Sequence, residues 1–114
     1  MKMLVPAFAL ALLATPALAA TIPPSAAKAH VGQTVTVEGA VSDVHTAASG
    51  TTFLDMGGRY PDNVFAAVIF ADDAGKFPDP DSLQGKTVDI TGRVRLYRGR
   101  AEIILKSAEQ MKTK

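Results

Sequence analysis

The 114-residue chain contains no cysteine and no tryptophan, and only two tyrosines and two histidines. Without cysteine there can be no disulfide frame, no thiolate nucleophile and no thiolate metal site. The five serines (Ser25, Ser42, Ser49, Ser82 and Ser107) sit in no nucleophile-elbow context. His45 and Ser49 are close in sequence but have no orienting carboxylate at a useful spacing, and His30 reads as a surface residue. The expectation is therefore a protein that is not an enzyme. Metal donors are thin as well: Asp72-Asp73 and Asp79-Pro80-Asp81 offer oxygens but lack calcium-loop spacing and its closing glutamate, so they read as a solvated turn. No cofactor or metal site is expected. Net charge is scarce too, with 12 Lys and Arg against 11 Asp and Glu, which argues against a dedicated binder of phosphate backbone.

Two features stand out against these absences. The first is the N-terminus: Met1-Lys2 precede the apolar run Met3 to Leu13, and Ala17 and Ala19 take the small-residue positions of a cleavage site. That three-part pattern reads as a secretory signal peptide over residues 1–19, with the mature chain in the periplasm or secreted. The run is too short to span a bilayer, and no second one follows, so no membrane span is expected after cleavage. Charge in the remainder is segregated. Residues 20–85 hold three basic and eight acidic groups, whereas residues 86–114 hold eight basic and three acidic ones.

The second feature is a repeat. GQTVTVEGAV at 32–41 and GKTVDITGRV at 85–94 match at Gly, Thr, Val, Val/Ile, Gly and Val with one constant offset. Each opens on a turn glycine, alternates apolar and polar residues, and carries a glycine mid-strand. That is the pattern of a half-buried, bent strand at the corner of a small barrel.

Around these two strands the chain reads as follows. Residues 20–31 are a Pro-containing lead-in with room for one helical turn. Strand 1 runs from about Gln33 to Val44, with Val35, Val37 and Val41 inward and a bulge near Ser42-Asp43. Strand 2, Thr51 to Met56, turns Thr52, Leu54 and Met56 inward and Phe53 and Asp55 outward. Strand 3, Val64 to Ala71, is apolar on both parities, as a strand covered on both faces would be. A short helix capped by Asp79 or Asp81 fits around Asp81–Gln84. Strand 4, Thr87 to Tyr97, points Val88, Ile90, Val94 and Leu96 inward and Arg93, Arg95 and Tyr97 outward. Arg98-Gly99 is a two-residue turn into strand 5, Arg100 to Lys106. Residues 108–114 read as a flexible tail.

The segments GQTVTVEGAV, TTFLDMGGRYP with FAAVIF, and GKTVDITGRVRLYRGRAEIIL resemble the OB-fold of nucleic-acid-binding type, over roughly residues 30–107. They are similar to small exported bacterial OB-fold proteins and to OB modules attached to nucleases. The resemblance implies an all-β, five-stranded Greek-key barrel over residues 32–107, with a short helix between strands 3 and 4. It also implies a binding face on strands 2 and 3 and the loops after strands 1 and 4, where Phe53, Arg59, Tyr60, Arg93, Arg95, Tyr97, Arg98 and Arg100 would serve. Two occupants stay open: single-stranded nucleic acid, or a protein partner or small ligand with no nucleic-acid role. The bland reading of the arginines is a solvated face paired with Glu38, Asp89 and Glu102.

Overall fold

The computed structural model describes residues 19–114, so the expected leader lies almost wholly outside the described residues. Eight strands form: β1 (Thr21–Ile22), β2 (Thr34–Thr46), β3 (Thr52–Met56), β4 (Phe65–Ile69), β5 (Thr87–Arg93), β6 (Arg95–Tyr97), β7 (Arg100–Ile104) and β8 (Met111–Thr113). The helical content is short 3₁₀ turns, over Pro24–His30, Ala71–Lys76, Pro80–Leu83 and Ala108–Gln110. The strands make one sheet in the order β6-β7-β4-β3-β2-β5-β8, with β1 parallel to β2. The all-β class agrees with the sequence. Among the described residues no helix is long and apolar enough to cross a membrane.

The repeated segments lie side by side as the antiparallel pair β2/β5, and they pair about a local twofold axis. Val37 sits opposite Ile90, its own counterpart in the repeat, while Gly39 faces Val88 and Val35 faces Gly92. The hydrogen bonds outside the ladder obey the same symmetry: Gly32 N donates to Val94 O and Gly85 N to Val41 O, each at 2.8 Å. The two mid-strand glycines let other elements approach closely. A Cβ on Gly39 would lie 2.5 Å from Pro24 Cγ, and one on Gly92 would lie 2.6 Å from Ile103 Cγ2. Both contacts are too close for any side chain, so glycine is the residue that fits there.

The inward alternation of β2 and β5 buries Val35, Val37, Val41, Val88 and Ile90 against Leu54, Met56, Phe65, Ile69, Ile103 and Leu105. Each such side chain contributes on the order of 1.5–3 kcal/mol by leaving water. The bulge falls where the apolar phase slips, with a register shift between Val41 and Asp43. β4 is buried at all five positions. Arg98 and Gly99 both take positive φ (51° and 78°), the two-residue turn that matches strand twist.

The structure differs from the sequence reading in four places. A closed five-stranded barrel does not form, because the expected strand 4 breaks at Val94. Val94 still bonds the start of β2, but beyond it β2 has ended in the Gly32 turn, and the chain changes partner to β7. No ladder joins β5 to β7, so the sheet keeps two ends. Leu96, expected inward, is 48% exposed opposite Ala101 for the same reason. The tail does not fray as read: Gln110 accepts from Lys106 N and Ser107 N and donates to Thr91 O and Ile104 O, which steers β8 onto β5. Finally, the connection between β4 and β5 is two 3₁₀ turns, and Asp79 and Asp81 make no side-chain cap. Asp79 is left-handed (φ 51°) ahead of Pro80, and only Leu83 of the second turn is buried.

Candidate ligand-binding face

The bulge in β2 sets up the site. After the slip, Asp43 and His45 lie opposite Asp55 and Phe53 of β3. Asp55 in turn faces Ala66 of β4, Ala66 faces Glu102 of β7, and Glu102 faces Arg95 of β6. One row therefore crosses five strands as Asp43, Asp55, Ala66, Glu102, Arg95. The small Ala66 at its centre leaves room above the sheet between two carboxylates.

That room is the floor of a cavity of about 350 Å³. Asp55 lies on the outer side of β3, as the strand pattern placed it, yet it is only 1% exposed. Both of its oxygens are engaged: His45 Nε2 lies 3.1 Å from Oδ2, and Asn63 Nδ2 donates to Oδ1 at 3.2 Å. Burial pushes the Asp55 carboxyl up from its ordinary range, while His45 opposes that rise. Glu102, also buried, accepts from Arg95 Nε at 2.6 Å. The His45 ring stacks on Phe53 at 4.9 Å and an interplanar angle of 16°.

The walls come from two loops. Tyr60 and Asn63 belong to the β3–β4 loop, where the Tyr60–Pro61 peptide is cis, and Tyr97, Arg98 and Arg100 belong to the β6–β7 hairpin. Arg100 fastens one to the other. It donates from Nε to Asn63 O (3.0 Å) and from Nη2 to Pro61 O (2.7 Å), with its guanidinium 5.1 Å from the Tyr60 ring. Tyr97 carries the Arg95 and Arg98 guanidiniums at 5.6 and 5.3 Å.

Of the eight residues singled out from sequence, Phe53, Tyr60, Tyr97, Arg98 and Arg100 line this one cavity. Arg59 extends into solvent beside Asp43, with Nη2 3.7 Å from Oδ1. Arg95 is spent on Glu102. Arg93 lies on β5 opposite Thr34, away from the cavity lining. Sequence reasoning missed His45, Asp55, Asn63 and Glu102 as members. The signal for His45 was present in the predicted bulge, which turns Asp43 and His45 to the outer side, and that for Asp55 in the outward phase of strand 2. Nothing local to Asn63 pointed to it.

No protein-family model matches the chain, and no curated protein sequence does. Solved structures do match. A Leishmania major Friedlin protein assigned as an aspartyl-tRNA synthetase superposes with a TM-score of 0.55 at 19% identity, over 89% of this chain and 22% of that one. The asparaginyl-tRNA synthetase of Entamoeba histolytica gives 0.52 at 18% identity, over 83% of this chain and 23% of its own. The aspartyl-tRNA synthetase of the same organism gives 0.50 at 18%, over 75% and 19%. The chain spans about a fifth of those enzymes' length. At such identity the likeness establishes a shared fold.

Proposed function

We propose that the chain is a non-catalytic binding module of OB type that holds single-stranded nucleic acid on the outer face of β3 and β4 and works outside the cytoplasm. The observation that carries this is the cavity: aromatic walls at Phe53, Tyr60 and Tyr97 stand beside an exposed Arg98. Rings that stack bases next to guanidiniums that meet phosphates are the requirements of single-strand binding. Further support comes from pairing order, since β2-β3-β4-β7-β6, with β5 returning to β2, is the OB arrangement of strands with its fourth strand broken. The fold neighbours are named as tRNA synthetases, which is consistent with an RNA or DNA strand as occupant. The composition of residues 1–19 supports export.

A second reading, a small ligand or protein partner with no nucleic-acid role, is favoured by the carboxylate floor at Asp55 and Glu102, which would repel phosphate. Fluorescence anisotropy with labelled single-stranded oligonucleotides at two salt concentrations separates the two. Nucleic acid predicts affinity that falls steeply with salt, and a slope reduced by about 0.7 in Arg98→Asn for one lost phosphate contact. Asparagine is chosen because it tolerates the left-handed backbone at position 98. Tyr97→Ala should cost about 1–3 kcal/mol as a lost stacking partner. Absence of binding at low salt overturns the nucleic-acid reading and leaves the second.

A further inference from the structure

Asp43 and Asp55 stand directly opposite each other on adjacent strands. Like charges so placed repel, and the repulsion grows where one of them is withdrawn from water, as Asp55 is. His45, two residues beyond Asp43, brings Nε2 to 3.1 Å from Asp55 Oδ2. One donor atom from each of the three lies within 4.8 Å of the other two. The nearby cation is a poor neutraliser: the Arg59 side chain is 76% exposed, and its 3.7 Å approach to Asp43 is too long for a hydrogen bond.

A separate observation bears on the same spot. Asn63 is 5% exposed, lines the cavity and is tied to Asp55 through Nδ2, yet its Oδ1 is buried with no hydrogen-bond partner. A carbonyl oxygen in that condition is costly unless something electropositive faces it.

We propose that Asp43, His45 and Asp55 bind a divalent transition-metal ion of the zinc type, at the cavity end formed by β2 and β3. Two carboxylate oxygens and one imidazole nitrogen are a borderline donor set, suited to zinc and its neighbours rather than to calcium or magnesium, which take oxygen alone. Metal–ligand bonds of about 2.0–2.1 Å place neighbouring donors roughly 3.3 Å apart around a tetrahedral ion. The His45–Asp55 edge already has that length. The remaining separations must close by about 1.5 Å at most to reach the same geometry. The member that has to move is Asp43, whose side chain is 18% exposed and among the described residues has only Arg59 near it, at 3.7 Å. The stack on Phe53 holds the imidazole plane, and three protein donors leave further coordination open to a ligand in the cavity.

Isothermal titration of the full chain with zinc chloride, and separately with magnesium chloride, tests the site. One zinc per chain is expected, with magnesium weaker by about 10-fold or more. Asp43→Asn and His45→Gln, both at partly exposed positions, should each weaken zinc by at least about 10-fold while leaving the circular dichroism unchanged. Arg59→Ala should tighten it several-fold by removing a competing cation. In the unsubstituted protein, one equivalent of zinc must move the His45 ring resonances and leave those of His30 in place. No saturable binding overturns the proposal, as does zinc that shifts His30 instead or that survives both substitutions within about twofold.

Discussion

β2 carries two carboxylate pairs across its length, and they are neutralised in different ways. In the first half Glu38 faces Asp89 of β5, and in the second Asp43 faces Asp55 of β3. The first pair is closed by the chain's own end: β8 delivers Lys114, whose Nζ lies 2.9 Å from Glu38 Oε2 and 3.7 Å from Asp89 Oδ2. Among the described residues the second has only His45, whose charge depends on protonation, and the distant Arg59. Each pair has a buried oxygen without a partner, Asp89 Oδ1 in one and Asn63 Oδ1 beside the other. The pair outside the cavity lining is thus a clasp closed by a lysine of the same chain, whereas the pair at the cavity has no such closure among the described residues.

The sharpest way to break the comparison is to remove Asp55. Asp55→Ala takes from the buried Asn63 amide one of its two acceptors, Phe65 O remaining, and from the His45 nitrogen its carboxylate partner, which should cost about 0.5–1.5 kcal/mol for each hydrogen bond lost. Urea unfolding checks this. An unchanged midpoint would mean that the buried carboxylate is as unwelcome as the groups it satisfies.

A smaller effect distinguishes the members of the clasp by their pH dependence. The hydrogen bond from Lys114 holds Glu38 below the usual carboxylate range, whereas burial, followed by the neighbouring Glu38, pushes Asp89 above it. A carboxyl lowered in the folded state stabilises above its unfolded value, about 4.3 for glutamate, and that contribution is lost as pH falls through the folded value. Glu38→Gln should therefore be less stable than the unsubstituted protein at neutral pH and converge with it in acid. A raised carboxyl works the other way. Its contribution is complete below the unfolded value, about 3.9 for aspartate, and disappears as pH rises through the folded one. Asp89→Asn should accordingly gain on the unsubstituted protein as pH climbs from acid toward neutral. Thermal melts at a series of pH values read both, and curves that shift in the same direction would contradict the assignment.

How much of this was legible in the sequence follows from what each feature depends on. The β2/β5 pair, the bulge and the Arg98-Gly99 turn are local patterns of alternation, phase and positive φ, and all three form where the residues place them. The break at Val94 was not legible, because Thr87 to Tyr97 alternates without interruption, and the change of partner is decided by where β2 ends. Nor was the order of the tail, since Gln110 reaches its acceptors only after Thr91 and Ile104 have been brought together. The site lies between these cases. Phe53, Tyr97 and Arg98 declare themselves by type and by place on the strand. The Asp43, Asp55, Ala66, Glu102 row exists only once the register of four strands is known.

Arg93 gives the smallest effect and a direct test of that reading. It belongs to the same alternating run as Arg95, and by sequence the two were equal candidates for the binding face. In the fold they part: Arg95 crosses to β6 and engages Glu102, while Arg93 stays on β5, exposed, at the end of the clasp half. An exposed side chain outside the cavity should change stability by no more than about 0.5 kcal/mol when removed. Its loss should also leave oligonucleotide affinity and salt slope unaltered, in contrast to Arg98→Asn. If Arg93→Ala weakens binding as much as Arg98→Asn does, the nucleic acid runs over β2 and β5 instead, and the clasp half is the working face.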